Sequence, residues 1–372
     1  MKNTLIAMAA MAALAPAPSA HGADALATDM FRCVVAEQKE GNVVFSPASV
    51  EAVLHILREG AAGDTLTEFN ALPYGKQEVA SAMRVECANA LFAADDIRLK
   101  PLGVEDIRRV SFANAPAEAA NAINAWCSEK THELITSIVS PPDLTPNTRL
   151  IALNAVYLKE KWQHPFKATD TAPRTFTPAD GVKIETPTMA ATSSFKYAEG
   201  EGWQAVALPY RPQQQGEQGY FIAILPSGDA REFVAQADAE RIAAICSALN
   251  KAAAEPTEVH LPIFRVKTPI FNLNTVLQAQ GLCKPFTGEA DFSGFTDEPL
   301  WLSEVRQRCF VQVDEEGTEA AAATAGIMMF KSLPRRPVMP HVIHLNRPFI
   351  WMIGDLTSDA PPYFMGLMAD PR

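Results

Sequence analysis

Ser293 is the first residue to weigh as a nucleophile. It stands in Asp291-Phe292-Ser293-Gly294-Phe295, which lacks the leading glycine of the G-x-S-x-G elbow that lifts a serine onto a sharp strand-to-helix turn. The seven histidines, at 21, 55, 132, 164, 260, 341 and 344, form no H-E-x-x-H pair for a catalytic zinc. His341 and His344 make a single pair on a proline-flanked segment, where a surface or strand-end role is expected. The six cysteines, at 33, 87, 127, 246, 283 and 309, contain no C-x-x-C, and no glycine-rich loop is spaced to cradle phosphates. The residue types for hydrolysis, metal or nucleotide chemistry are present without the spacing that would make them act together. The expectation is a protein that is not an enzyme, with no metal and no cofactor.

Composition narrows the partners. The chain has 372 residues, 48% hydrophobic and 20% charged, enough for a large buried core in one large domain or two ordinary ones. Its 43 acidic against 32 basic residues give a net charge of -11, which disfavours a phosphate-tracking surface and argues against nucleic acid. Lys2, an apolar run from Leu5 to Leu14 and small residues through Ala20 follow the plan of a cleaved secretory signal, placed at about residues 1–22, with 23–372 as a single mature domain. That apolar run is shorter than the ~20 residues needed to span a bilayer, so a secreted or periplasmic protein without a membrane anchor is expected. An oxidising compartment would permit disulfides, but buried free thiols serve a core of this size equally well.

Helical spacing of Val50, Val53, Leu54 and Leu57 predicts a helix over Ser49–Gly60, opened by Ser46-Pro47-Ala48-Ser49 with a serine as N-cap and closed by glycine. A second helical run is predicted over Ala117–Ile138, ending before Pro141-Pro142. Leu150 to Leu158 is a near-continuous apolar run of strand length, as in a central strand covered on both faces. Trp203–Tyr210 and Tyr220–Leu225 read as a hairpin, and Val259–Val266 and Arg308–Asp314 as further strands. Helices lead and strands follow, so the class is α+β.

The segment Asp314-Glu315-Glu316-Gly317-Thr318-Glu319-Ala320-Ala321-Ala322-Ala323-Thr324-Ala325-Gly326 is the most informative in the chain. Propensity alone would make it helix. It follows a strand, however, and precedes Ile327 to Pro337, a proline-punctuated stretch suited to an exposed extended loop. This segment resembles the hinge of inhibitory serpins. Other motifs similar to that family occur in order along the chain: Asn42 to Ser49, Leu153 to Trp162 with Pro165-Phe166, His260-Leu261-Pro262, Asp291 to Gly294, Asn346 to Phe349, and Phe364-Met365-Gly366.

The resemblance implies a large central mixed sheet, two further sheets, about eight helices and a reactive-centre loop over about 315–340. It implies suicide inhibition: a target serine protease cleaves the loop, forms a covalent acyl complex, and is displaced as the loop inserts into a sheet. The hinge would comprise Glu315, Glu316, Gly317, Thr318, Glu319, Ala320, Ala321, Ala322, Ala323 and Thr324. As a strand, this segment places Thr318, Ala320, Ala322, Thr324 and Gly326 on one face, all small, and the charge of Glu319 on the other. Such a face is buried without desolvating a carboxylate.

By the same resemblance Trp162 lies where insertion begins, and Ser46, Ser49, Asn154 and Gln307 control sheet opening. Helix capping and buried hydrogen bonding are the alternative roles of Ser46, Ser49 and Asn154. Gln307 stands where many relatives carry histidine, so a pH dependence tied to that histidine is expected to be missing. The reactive bond falls at Lys331–Ser332, which predicts trypsin-like targets. Met329, Phe330, Arg335 and Arg336 are alternative reactive residues, the first two suited to elastase- or chymotrypsin-like enzymes. A non-inhibitory carrier or chaperone is the rival reading. Between Glu68 and Val85 only Lys76 and Arg84 are basic, so no heparin binding is expected, and the protein should act as a monomer.

Overall fold

The computed structural model describes residues 22–74, 85–100, 107–158, 160–212, 218–318, 339–356 and 361–372. Among them the chain forms seven α-helices and two extensive sheets, an α+β arrangement as expected.

The eight-stranded sheet runs Ile107–Val110, Val85–Ala94, Leu150–Leu158, Leu302–Val313, Gly317–Thr318, Glu160–Lys161, with Phe264–Lys267 and Phe271–Asn272 also paired to Leu302–Val313. All nine residues of Leu150–Leu158 are buried, which is what an unbroken apolar run requires. This strand pairs antiparallel with Val85–Ala94 and parallel with Leu302–Val313. The sheet is therefore mixed.

The two smaller sheets expected beside it are fused into one of nine strands. Ile184–Gly200 is 17 residues long and ladders with Ala172–Phe176, Ala254–Pro262 and Trp203–Pro209 along its length. The predicted hairpin is present as Trp203–Pro209 with Tyr220–Pro226, and His341–His344 closes one edge in parallel with Ala254–Pro262.

Three expected elements differ in extent. Val259–Val266 is not one strand: Ala254–Pro262 belongs to the nine-stranded sheet and Phe264–Lys267 to the other, the chain changing sheets at Ile263, whose N–H bonds Pro187 O at 2.9 Å. The second helix spans Pro116–Lys130 and stops short of Ile138. His132 and Glu133 take positive φ there, and Thr131 turns its hydroxyl onto Cys127 O and accepts from Ile135 N, closing the end that helical spacing alone would have extended. The strand predicted over Arg308–Asp314 begins earlier, at Leu302.

Helix Pro47–Gly60 buries Val50, Val53, Leu54 and Leu57 against the central sheet. Its final glycine meets Gly294, whose N–H donates to Gly60 O at 3.0 Å; a Cβ on Gly60 would lie 2.3 Å from the Phe295 ring. That contact explains the Asp291 to Gly294 motif as packing. Ser293 is exposed on a turn, its N–H bound by Asp291 Oδ1. Cys33, Cys127 and Cys283 are free thiols, and burial pushes that of Cys127 up to about 12. Among the described residues no helix is long and apolar enough to cross a membrane.

Candidate functional site: a central sheet open at one end

The parallel ladder between Leu150–Leu158 and Leu302–Val313 is registered from Leu302 opposite Leu150 to Phe310 opposite Tyr157. Beyond Phe310 the two strands separate. The space between them is filled by the chain leaving Val313. Asp314 N donates to Gly317 O at 2.9 Å, while Asp314 Oδ1 accepts from Glu316 N at 3.0 Å and Gly317 N at 3.3 Å, a side-chain-braced turn that sends the backbone back toward the sheet. Gly317 and Thr318 then pair with Lys161 and Glu160 on one side, and Thr318 with Val313 on the other, antiparallel to both.

Glycine is required at 317 by closeness. A Cβ there would lie 2.0 Å from Glu160 O and 2.8 Å from Lys161 Cα. Thr318 is fully buried, and its hydroxyl lies 2.6 Å from that of Tyr210. Burial pushes the Tyr210 phenol far above its ordinary value, so the contact is between two neutral hydroxyls. Tyr210 stacks on Trp162 with centroids 4.7 Å apart. Trp162 in turn fixes the turn: its Nε1–H donates to Asp314 O at 2.8 Å and its backbone N–H to Glu316 O at 2.9 Å. Glu315 is held by Phe166 N on its carbonyl and by the Thr171 hydroxyl on its carboxylate.

Lower in the same sheet lies a row of amides. Asn89 is opposite Asn154, and Asn154 opposite Gln307, on three adjacent strands beneath the start of helix Pro47–Gly60. Gln307 Nε2 donates to Asn154 Oδ1 at 2.7 Å and to Ser46 O at 3.0 Å, and its Oε1 accepts from Ser46 N at 2.9 Å. Asn154 Nδ2 donates to Asn89 Oδ1 at 2.6 Å and to the Ser49 hydroxyl. Both N–H donors of each buried amide are thus used, and each amide oxygen accepts one bond. Helix capping is the alternative role that the sequence offers for Ser46. Instead the backbone of Ser46 engages Gln307, while its buried hydroxyl has no partner; Pro47 occupies the first helical position, and no side-chain cap bond forms.

The structure therefore gathers Ser46, Ser49, Asn154 and Gln307 into one network and Glu315, Glu316, Gly317, Thr318 and Trp162 into a second cluster at the open end of the same ladder. Glu319, Ala320, Ala321, Ala322, Ala323, Thr324, Met329, Phe330, Lys331, Ser332, Arg335 and Arg336 lie outside the described residues, as do residues 1–21 and 75–84, with Lys76 and Arg84. Sequence reasoning missed Tyr210 and Asn89. Asn89 carried a usable signal, being a lone amide within the apolar run Ala88 to Ala94.

A sheet split at one end, with the following segment already started into the split, is the architecture of a serpin, and the chain belongs to that family: its model, serpin (serine protease inhibitor), matches residues 21–371. Protease inhibition is accordingly the family's general function, and serpins bind target proteases. The chain is 34% identical over 359 residues to an uncharacterized serpin-like protein of Thermococcus kodakarensis, covering 89% of this chain and 81% of the relative. It is 28% identical to Serpin-Z2B of Triticum aestivum, covering 90% and 91%. Among solved structures it resembles native protease nexin-1 with heparin, at 25% identity and TM-score 0.79 over 94% of this chain and 98% of that one.

Proposed function

We propose that this chain is an irreversible suicide-substrate inhibitor of trypsin-like serine proteases, cleaved after Lys331. The observation that carries the reading is the pairing of Gly317 and Thr318 between two strands that are themselves parallel neighbours. A strand continuing downward from Thr318 would be antiparallel to both flanking strands. It would replace one parallel interface by two antiparallel ones, which pair better per residue. The uncleaved fold thus stores a favourable transition.

Cleavage of the Lys331–Ser332 bond would free the segment while the protease serine is esterified to Lys331. Insertion of about fifteen residues at ~3.3 Å each would move that ester roughly 50 Å from its starting place. Distortion of the protease would displace the oxyanion donors that deacylation requires. The buried hydroxyl pocket around Thr318 and the small side chains of alternate positions beyond it support insertion rather than a carrier role. We further propose export by the N-terminal signal and action as a monomer without heparin, in keeping with the net negative charge.

The test is incubation with trypsin, elastase and chymotrypsin followed by denaturing electrophoresis. A band of complex that resists SDS is expected with trypsin, together with a released peptide beginning at Ser332. Thr318→Arg should be cleaved without forming complex, because the fully buried Thr318 site cannot take a long charged side chain without distortion. Clean turnover of the wild type by all three enzymes would refute the reading, and a peptide beginning at Phe330 or Lys331 would move the target to elastase- or chymotrypsin-like enzymes.

A further inference from the structure

Three metal-ligating side chains meet on the edge of the nine-stranded sheet, away from the hinge. Glu258 and His260 are two residues apart on Ala254–Pro262 and so project from the same face. The parallel partner of His260 is His344, on the edge strand His341–His344. His260 Nε2 lies 3.1 Å and His344 Nε2 3.4 Å from the same oxygen, Glu258 Oε1. The two imidazoles are stacked with centroids 3.8 Å apart and planes 1° from parallel. One ligand atom from each residue lies within 4.8 Å of the other two.

We propose that Glu258, His260 and His344 form a binding site for a divalent transition cation of the Zn2+ class. Tetrahedral zinc bonds nitrogen and oxygen at about 2.0–2.2 Å, which sets ligand atoms about 3.4 Å apart along each edge of the tetrahedron. The His344-to-carboxylate separation of 3.4 Å already has that value and the His260-to-carboxylate separation of 3.1 Å is 0.3 Å short of it; the two rings must also splay for their lone pairs to converge. The His260 side chain is 13% exposed, while those of Glu258 and His344 are more than a third exposed, so the ion has a route in from solvent.

His260 and His344 also line a cavity of about 210 Å³, together with Arg174, Thr188 and Asn346. Arg174 Nε is buried there without a hydrogen-bond partner. A hydroxide, chloride or carboxylate completing the zinc shell would balance the charge of Arg174 and supply its missing acceptor. Bound metal would fasten His341–His344 to Ala254–Pro262, its one sheet neighbour among the described residues.

The test uses the full, tag-free chain after chelator treatment, without any protease. Calorimetric titration with Zn2+ should give one site per chain, and Co2+ in its place should give the intense visible absorption of a tetrahedral complex. Glu258→Gln, His260→Ala and His344→Ala should each weaken binding by about tenfold or more, while His341→Ala, on the same strand but outside the cluster, should leave it unchanged. A second readout needs no variant: Zn2+ should protect His260 and His344 of the wild type from acylation by diethyl pyrocarbonate, read by peptide mass spectrometry, and leave His341 reactive. Equal loss of affinity in His341→Ala, or no protection of His260 and His344 at saturating Zn2+, would overturn the site.

Discussion

Removing the Gln307 side chain beyond Cβ, in Gln307→Ala, deletes three buried hydrogen bonds of 2.7, 2.9 and 3.0 Å. Two polar groups lose a partner in consequence, Asn154 Oδ1 and the Ser46 N–H; Ser46 O keeps its bond from Val50 N at 3.2 Å. A buried group left without a partner costs about 1–3 kcal/mol, so the expected loss for two is roughly 2–6 kcal/mol. At ~2.1 cal/mol/K of unfolding entropy per residue, a chain of this length should melt about 3–8 °C lower. The assay is thermal melting of two forms, the uncleaved chain and the chain nicked within the loop. With a strand inserted, residues 154 and 307 stand about two strand spacings apart, near 9.6 Å, too far for any direct amide bond. The nicked form should therefore lose less stability than the uncleaved form. A loss below about 0.5 kcal/mol in the uncleaved chain, or an equal loss in both forms, would refute the reasoning.

Gln307→His should introduce a pH dependence that the glutamine avoids: a buried imidazole binds its proton more weakly than in the unfolded chain, so the variant should lose stability relative to wild type as pH falls below about 6.5. Denaturant titrations at several pH values would show parallel curves if the position does not matter. The same sign applies to His260, held down at about 4: stability should fall between pH 6.5 and 4 as the unfolded chain takes up a proton that the folded chain refuses, and His260→Asn should flatten that part of the profile. Gly317→Ala should expel the Gly317–Thr318 pairing, since its methyl would sit 2.0 Å from Glu160 O; enhanced proteolysis near Glu316 and altered Trp162 fluorescence would report it, and unchanged behaviour in both would contradict the close approach.

Residues whose environment is set by local pattern were legible in the sequence. Leu150–Leu158 is apolar throughout because both its faces are covered, and Val50, Val53, Leu54 and Leu57 keep helical spacing because one face of their helix is buried. The extents that differed depend on partners far along the chain. Nothing in Pro262-Ile263-Phe264 announces that Ile263 will bond Pro187 and divide a strand between two sheets. Gln307 reads as one polar residue in a strand; that it meets Asn154 and Ser46, 153 and 261 positions away, is a matter of sheet order. Family resemblance had grouped these residues, whereas spacing alone could not. The His260–His344 stack joins residues 84 apart by number and escaped any motif search for the same reason.

The hinge also fixes where each later residue of the loop would land. In antiparallel pairing, one step forward on a strand is one step back on its neighbour. From Thr318, which faces Val313 on one side and Glu160 on the other, six steps forward reach Thr324, and six steps back reach Gln307 and Asn154. An even number of steps keeps the side chain on the same face. Thr324 would thus arrive between the two amides whose bond its entry severs, bringing a hydroxyl that can donate to one and accept from the other. Ala320 and Ala322, by the same count, slide past Val311 with Leu158 and Cys309 with Val156, where only a methyl is needed. In the proposed insertion, the register of the sheet would assign a place to each side chain before the strand enters.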